Sequence, residues 1–325
     1  MRIEIWADPV CPWAYIGRRR LDRALKDRAE GAAEVVWRPY RIDPTAPTVS
    51  EPIDEVMRDP FVEESLRACG PEPTEEGELV RVSELAEAEG IEGDWGAAWR
   101  ANSHDAHRLL VLAEEEGGAD LQDTVAERIL RAHFVEGRDI ADHTVLSAIA
   151  TDAGFIRGGE RMAAGDGDRR VRELLLTGKA EGVRTSPTFV VHGMSLPGAQ
   201  APALMADFLA EAALRPPREL PEEVARLRRC EALLTRRDPL GALELLQPLL
   251  EEHGSDRSVR LLAARAYFHS AQLGRARRLL EELVAQGSDD AYAHLLMGHT
   301  LRRQGERELA EPYLRLAAVM DPALA

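Results

Sequence analysis

Cysteine is scarce in this chain. Cys11, Cys69 and Cys230 are the three in 325 residues, too few and too scattered for a disulfide framework. Long apolar runs are missing too. None approaches the roughly 20 residues that a membrane-spanning helix needs, so no membrane partner is expected. No basic segment followed by an apolar one stands ahead of the first strand. That absence reads as no secretory leader and predicts a cytoplasmic protein. Lysine is nearly absent: Lys26 and Lys179 are the only two, and arginine supplies the remaining positive charge. The arginines follow no nucleic-acid pattern. The net charge is −16 at pH 7, and almost all of it falls on residues 1–217, because residues 218–325 carry 16 Arg against 17 Asp and Glu. An acidic N-terminal part argues against nucleic acid as a partner and suits neutral or cationic ones. What remains is an ordinary soluble composition on a chain long enough for two domains.

The stretch that organises the rest is residues 3–20. Ile3, Ile5 and Ala7 alternate as a strand does, and Asp8-Pro9 breaks the pattern. A helix then opens at Cys11 with Pro12 in its first turn, where a missing N–H costs nothing. A cysteine at a helix N-terminus faces free N–H groups and the positive end of the macrodipole, so a reactive thiolate is expected. The second cysteine of a Cys-x-x-Cys pair is lacking, and position 14 is Ala. Glu34 to Tyr40 reads as a second strand, parallel to the first through the helical crossover.

Residues 44–80, rich in Pro, Glu and Asp, read as loop with short helices. Helical patterns follow at Arg81 to Gly90, Gly96 to Glu116, Leu121 to Glu136, Asp142 to Ala153 and Arg169 to Gly182, the last with Gly182 as a C-cap. Ser186-Pro187 enters an apolar, β-branched run, Thr188 to Val191. A proline there suits a strand entry, with the Ser186–Pro187 bond cis. His192-Gly193 turns the chain into a hairpin partner, and Pro202 to Leu214 reads as a closing helix. Three prolines within residues 215–221 mark a linker.

Beyond the linker the chain repeats itself every 34 residues. Cys230, Ala264 and Gly298 align as small residues; Leu233, Tyr267 and Leu301 follow. Ala242, Ala276 and Ala310 align next, then Leu246, Leu280 and Leu314, then Leu249, Leu283 and Ala317. This is the tetratricopeptide pattern of stacked helix pairs, and three repeats are about the minimum that buries a continuous core.

Four segments of the first part resemble the DsbA family of thioredoxin-fold oxidoreductases, in its FrnE-like branch. They are Asp8 to Trp13 with Tyr15-Ile16-Gly17; Asn102 to Leu110; Phe134 to Ile140; and Gly182-Val183 through Ser186-Pro187-Thr188-Phe189, closing on Pro197 to Gln200. The resemblance implies an α/β thioredoxin-like fold over residues 1–214 with a helical insertion at about 44–182. The linker, 215–221, leads to an all-α tetratricopeptide-repeat solenoid over 222–325. It also implies a proline loop lying against the active cysteine, with Ser186 before Pro187 tuning the thiol.

Cys11 is therefore the expected catalytic residue, and Pro12, Trp13, Ser186, Pro187, Asn102 and His107 are expected around the substrate. Trp13 is the aromatic expected to touch substrate, whereas Trp6 is assigned to the core. His104 and His107 share a helix face, but no Cys or Glu completes a metal set, so neither metal nor cofactor is expected. Cys69 is a remote candidate for a resolving thiol, and Cys230 is a packing residue.

Because Ala14 cannot resolve a mixed disulfide, resolution falls to an outside thiol, a low-molecular-weight one or the substrate's own. Three readings follow. The leading one is thiol-disulfide exchange on a protein or small-thiol substrate, with the repeats recruiting a protein partner or holding a homodimer. The second is a thiol-dependent isomerase or transferase, resembling hydroxychromene-carboxylate isomerases and kappa-class transferases. The third is a catalytically degenerate scaffold.

Overall fold

The computed structural model describes residues 1–26, 33–56, 82–215, 220–287 and 289–324. The chain divides into two compact units, residues 1–178 with 183–218, and residues 179–182 with 219–325.

The first unit is built on a four-stranded sheet of order β2-β1-β5-β6. Strand β1 (Arg2–Ala7) runs parallel to β2 (Glu34–Pro39), Ile5 opposite Trp37. Between them lies α1 (Pro12–Leu25). On its other side β1 pairs antiparallel with β5 (Thr188–Val191), Trp6 opposite Thr188. The hairpin then continues to β6 (Met194–Pro197). Its turn, His192-Gly193, has both residues at positive φ, the backbone a tight hairpin demands. Strand alternation decides the packing. Ile3, Ile5 and Ala7 join Ile16 and Leu21 of α1, Phe189 and Val191 of β5, and Phe208 and Leu209 of the last helix of this unit in one core. Each buried Ile, Leu or Phe there contributes about 1.5–3 kcal/mol. Trp6 faces the other way, under Gly178, where a Cβ would sit 2.6 Å from the indole.

The insertion is helical. After a short strand β3 (Glu51–Pro52) and α2 (Ile53–Val56) come α3 (Val82–Ala88), β4 (Trp99–Arg100), α4 (His104–Phe134), α5 (His143–Asp152), α6 (Gly158–Ala163) and α7 (Asp168–Glu181). The unit closes with α8 (Pro202–Ala213), which packs on α1.

Two expectations are corrected, and one between them holds. The helix expected from Gly96 starts at His104, because Trp99–Arg100 pairs antiparallel with Glu51–Pro52, a pairing invisible to local periodicity. The two helices expected up to Glu116 and from Leu121 are there: the span of α4 is interrupted at Gly117-Gly118, both outside helical geometry, with Gly118 at φ +71. The turn α6 was not expected at all. Gly182, at φ +88, ends α7 as a C-cap, with Val183 N–H donating to Gly178 O.

Among its described residues the second unit has six α-helices that pack in three successive pairs: α9 (Glu222–Thr235) with α10 (Pro239–Glu252), α11 (Arg257–His269) with α12 (Leu273–Gln286), and α13 (Ala291–Arg303) with α14 (Arg307–Met320). Asp238, Asp256 and Asp290 cap α10, α11 and α13 by accepting from N–H groups of the first turn. The aligned small residues sit where helices touch. Cys230 and Ala264 are fully buried, and at Gly298 a Cβ would fall 2.6 Å from Leu314. No helix among the described residues is long and apolar enough to cross a membrane.

Candidate active site at Cys11

The site forms where β1 ends. Cys11 N–H donates to Asp8 O (2.9 Å), closing the turn, and Ala14 N–H donates to Cys11 O (3.0 Å), opening α1. Cys11 is the N-cap of that helix, with Pro12 in the first turn. Across from it stands the loop before β5, where the Ser186–Pro187 peptide is cis. The thiol donates to Ser186 O at 3.3 Å. Ser186 Oγ in turn accepts from Asp8 N–H at 2.9 Å, so one residue ties both ends of the Asp8–Cys11 turn. Gly17, two turns into α1, makes the approach possible. A Cβ there would lie 3.1 Å from Pro187, 3.2 Å from Phe189 and 3.3 Å from Ala199.

The electrostatics differ from the expectation. Cys11 is 4% exposed, and burial pushes its thiol above the usual value, with the neighbouring Asp8 charge adding to the rise. The Ser186 hydrogen bond and the Ala14 and Trp13 N–H groups pull the other way without winning. The resting group is a thiol, where helix position alone had suggested a thiolate. Desolvation disfavours the charged form, and here it exceeds what the first helical turn supplies.

Asp8 is the residue sequence reasoning missed. In the sequence it is a strand breaker and the first residue of the Asp8-to-Trp13 segment, with no role at the site, yet it is 1% exposed. Its Oδ2 accepts from Ile42 N–H at 2.7 Å. Burial lifts its carboxyl to about 6, against the hydrogen bonds from Ile42, Ser103 and Val10 and the Arg41 charge. His107 lies beside it, Nε2 3.8 Å from Asp8 Oδ1. That ring is also buried, and burial takes its pKa down to about 3. It is neutral, donating from Nε2 to Tyr40 O at 2.9 Å, so the short separation is not an ion pair. The signal that could have exposed Asp8 is an acid placed between an apolar strand and a helix-start cysteine.

The expected residues separate into two groups. Pro12, Trp13, Ser186 and Pro187 gather around Cys11, with Pro12 and Trp13 half-buried. Of the two expected to line the substrate groove, His107 is buried and Asn102 is half-buried. Asn102 donates to Ala46 O (2.8 Å) and accepts from Arg41 and from His104 N–H. Its polar atoms are taken up in holding the loop ahead of α4. His104 turns away to Asp168 (2.8 Å), so the two histidines do not converge, and no cluster of metal-ligand type occurs among the described residues. Tyr15 points into the insertion, donating to Glu127 at 2.7 Å. Trp6 is core, as expected. Ala14 is fully buried. Cys230 is buried within the second unit, where its thiol is pushed up to about 12. Cys69 lies outside the described residues. A cavity of about 380 Å³ opens along α1, lined by Arg18, Asp22, Trp37 and Asp123 among others, and none of the site residues borders it.

Comparison with known proteins decides the family. The model of the DSBA-like thioredoxin domain matches residues 2–210. The chain belongs to that family. A tetratricopeptide-repeat model matches residues 233–299, so the DSBA-like domain is joined to repeats in one chain. An uncharacterised Bacillus subtilis protein, YwbO, is 20% identical over 203 residues, 61% of this chain and 90% of its own length. The crystal structure of a probable DsbA oxidoreductase from Streptomyces coelicolor is similar at 26% identity and a TM-score of 0.55, covering 68% of this chain and 94% of that one. A cytosolic disulfide reductase of Pseudomonas aeruginosa, DsbM, is similar at 19% identity and a TM-score of 0.45, covering 66% of this chain and 99% of its own. The DSBA-like assignment makes this a chain of the thiol-oxidoreductase kind.

Proposed function

We propose that the DSBA-like domain is a thiol-disulfide exchange enzyme working through one thiol, Cys11. The observation that carries the reading is the contact of Cys11 Sγ with Ser186 O, 3.3 Å away, at the residue before Pro187. It puts the thiol at the one turn where a loop from β5 meets the start of α1. A bound disulfide R–S–S–R′ approaches along Pro12, Trp13 and Pro187. Cys11 gives up its proton and attacks; an S–S bond forms to R, the substrate bond breaks, and R′ leaves as a thiol with the proton. Ala14 offers no second thiol. An outside thiol attacks the mixed disulfide, forms a new disulfide with R and returns Cys11 to the reduced thiol. Two electrons pass between the outside thiol and the substrate, and the enzyme ends unchanged. Asn102 and His107 hold the floor of the site through the Ala46 and Tyr40 carbonyls and do not touch substrate. The low-molecular-weight thiol is a co-substrate, and no metal or organic cofactor enters. The reaction suits the cytoplasm, where small thiols are kept reduced, and the repeats dock a protein partner.

The test is mass spectrometry of the full chain incubated with oxidised glutathione. The expected result is one adduct that maps to Cys11, disappears with reduced glutathione and is lost in Cys11→Ser. A folded chain with no adduct at Cys11, or an adduct that excess thiol does not release, overturns the reading.

A further inference from the structure

Arginine in the first unit is almost always held by an acid. Among the described arginines of that unit, all but Arg41, Arg128 and Arg184 have a carboxylate within 4.0 Å. Arg128 lines the cavity along α1, away from the thiol. The other two stand beside Cys11.

Arg184 lies two residues ahead of Ser186, whose carbonyl accepts from the Cys11 thiol. It is exposed, and Tyr40 fixes its backbone, the Tyr40 hydroxyl donating to Arg184 O at 2.8 Å. Tyr40 is itself anchored across the end of β1. Its N–H donates to Ala7 O at 3.3 Å, and its carbonyl accepts from His107. The Asp8 and Cys11 charges both bear on its phenol. Arg41 is the next residue, half-buried, and its charge is felt at Asp8. Arg41 Nη2 donates to Asn102 at 3.1 Å, whereas its Nε is buried with no hydrogen-bond partner. The acids that follow on the same stretch, Asp43 and Glu51, are taken up by Arg100 at 2.7 and 3.0 Å. One guanidinium group past the end of β2 and one ahead of β5 thus flank the thiol, and neither is neutralised by an ion pair among the described residues.

The sign of this charge is opposite to that of its surroundings. Residues 1–217 carry almost all of the net −16, and their field as a whole favours cationic partners. At Cys11 the nearest unpaired charges are positive, and a guanidinium fork matches a carboxylate. We propose that Arg41 and Arg184 hold the carboxylates of the outside thiol that resolves the Cys11 mixed disulfide, so that this co-substrate is an anionic thiol of low molecular weight. The proposal rests on the exchange reaction put forward above and names the class of its second thiol. At that step the incoming thiol gives up its proton and its sulfur bonds to R. The Cys11–R bond breaks, and Cys11 takes the proton. A small thiol has few atoms to bind by, so a charge pair is the contact that tells one from another. A cationic thiol would add a further positive charge beside two arginines.

The test loads Cys11 of the full chain with methyl methanethiosulfonate, which leaves an uncharged methylthio group, and follows its release by mass of the Cys11 peptide. The releasing thiols are mercaptosuccinate, 2-mercaptoethanol and cysteamine. Each rate is divided by that on the urea-unfolded adduct, which removes intrinsic reactivity. Mercaptosuccinate is expected to be about tenfold faster than 2-mercaptoethanol on this scale, cysteamine slower than both, and the preference to shrink as salt is raised. Arg184→Gln and, separately, Arg41→Gln are each expected to lower the preference about threefold to fivefold, with the 2-mercaptoethanol rate unchanged. Arg184→Lys, which keeps the charge, should retain most of it. Arg128→Gln removes the same charge away from the thiol and should change nothing. Circular dichroism confirms that the variants fold, and Arg184, being exposed, supplies the variant least able to disturb the fold. Equal or faster release by 2-mercaptoethanol or cysteamine overturns the anionic assignment. A preference for mercaptosuccinate that survives in both Arg184→Gln and Arg41→Gln, or that falls equally in Arg128→Gln, overturns the role of these two arginines. In each of these cases release itself still occurs and the exchange reaction stands. An adduct that none of the thiols releases overturns the exchange reaction, and this proposal with it.

Discussion

Asp8 gives the sharpest test of the site, through Asp8→Asn. In the folded protein its carboxyl titrates near 6, against 3.8 for the ordinary group, because burial outweighs the donors around it. Between those values the folded state holds a proton that the unfolded state has released. Stability therefore falls as pH rises, by 2.303RT per pH unit for each such proton. The cost is absent below pH 3.8 and complete above about 6. Its full size, at about 1.4 kcal/mol per pH unit, is roughly 3 kcal/mol. Asparagine carries no charge and keeps an oxygen for the Ile42 N–H, so the variant escapes the cost. From pH 4.5 to 7.5 the stability of Asp8→Asn relative to the parent should rise by about 2 kcal/mol, the earlier part of the loss having occurred below that window. Urea unfolding of both proteins at half-unit pH steps measures this. Taking the difference cancels the pH dependence of the other groups. Because the Asp8 charge also raises the Cys11 pKa, the variant should be alkylated at Cys11 at a lower pH than the parent. A stability difference that stays flat across this window refutes the burial argument.

Other outcomes follow from the same geometry. Native Cys11 should react with iodoacetamide only at a pH above that of the urea-unfolded chain, since burial raises its thiol pKa; a rate that follows the unfolded profile contradicts this. Gly17→Ala gains about 1 kcal/mol in helix propensity but drives a methyl against Pro187, Phe189 and Ala199, an overpacking cost of about 1–3 kcal/mol. Thermal unfolding should show no net gain, and glutathione adduct formation at Cys11 should slow. His107 and His133 are buried with pKa values lowered to about 3 and about 4. Below pH 6.5 the unfolded state binds protons that the folded state does not, so their stability is present above pH 6.5 and lost as pH falls. His107→Gln, which keeps a donor for Tyr40 O, should lower the midpoint of acid unfolding. Gly298→Val should destabilise the repeats by about 1–3 kcal/mol through contact with Leu314, seen as a lower unfolding temperature for that unit alone.

Much of the fold is written in short-range pattern. Alternation in residues 3–7, the Asp8-Pro9 break and Pro12 yield β1, the turn and α1 without reference to distant residues. The 34-residue spacing yields three helix pairs because each repeat meets only its neighbours, so local columns such as Cys230, Ala264 and Gly298 already describe the packing. The insertion was less legible. Trp99–Arg100 forms a strand only because Glu51–Pro52 lies opposite, whereas the break at Gly117-Gly118 inside α4 is local and falls where two glycines read as a stop.

The site divides in the same way. Residue type and order by themselves determined a cysteine at a helix start, an alanine where a second thiol would stand, and a Ser-Pro entry to a strand. Each depends on a few neighbouring residues. Only the tertiary structure decided the state of that cysteine. Ser186, 175 residues away, supplies the acceptor for its proton. The surrounding core excludes the water that would stabilise a thiolate, and a buried Asp8 charge adds to the effect. Charge state depends on what surrounds a group in space, and for Cys11 most of those surroundings come from parts of the chain far from residue 11.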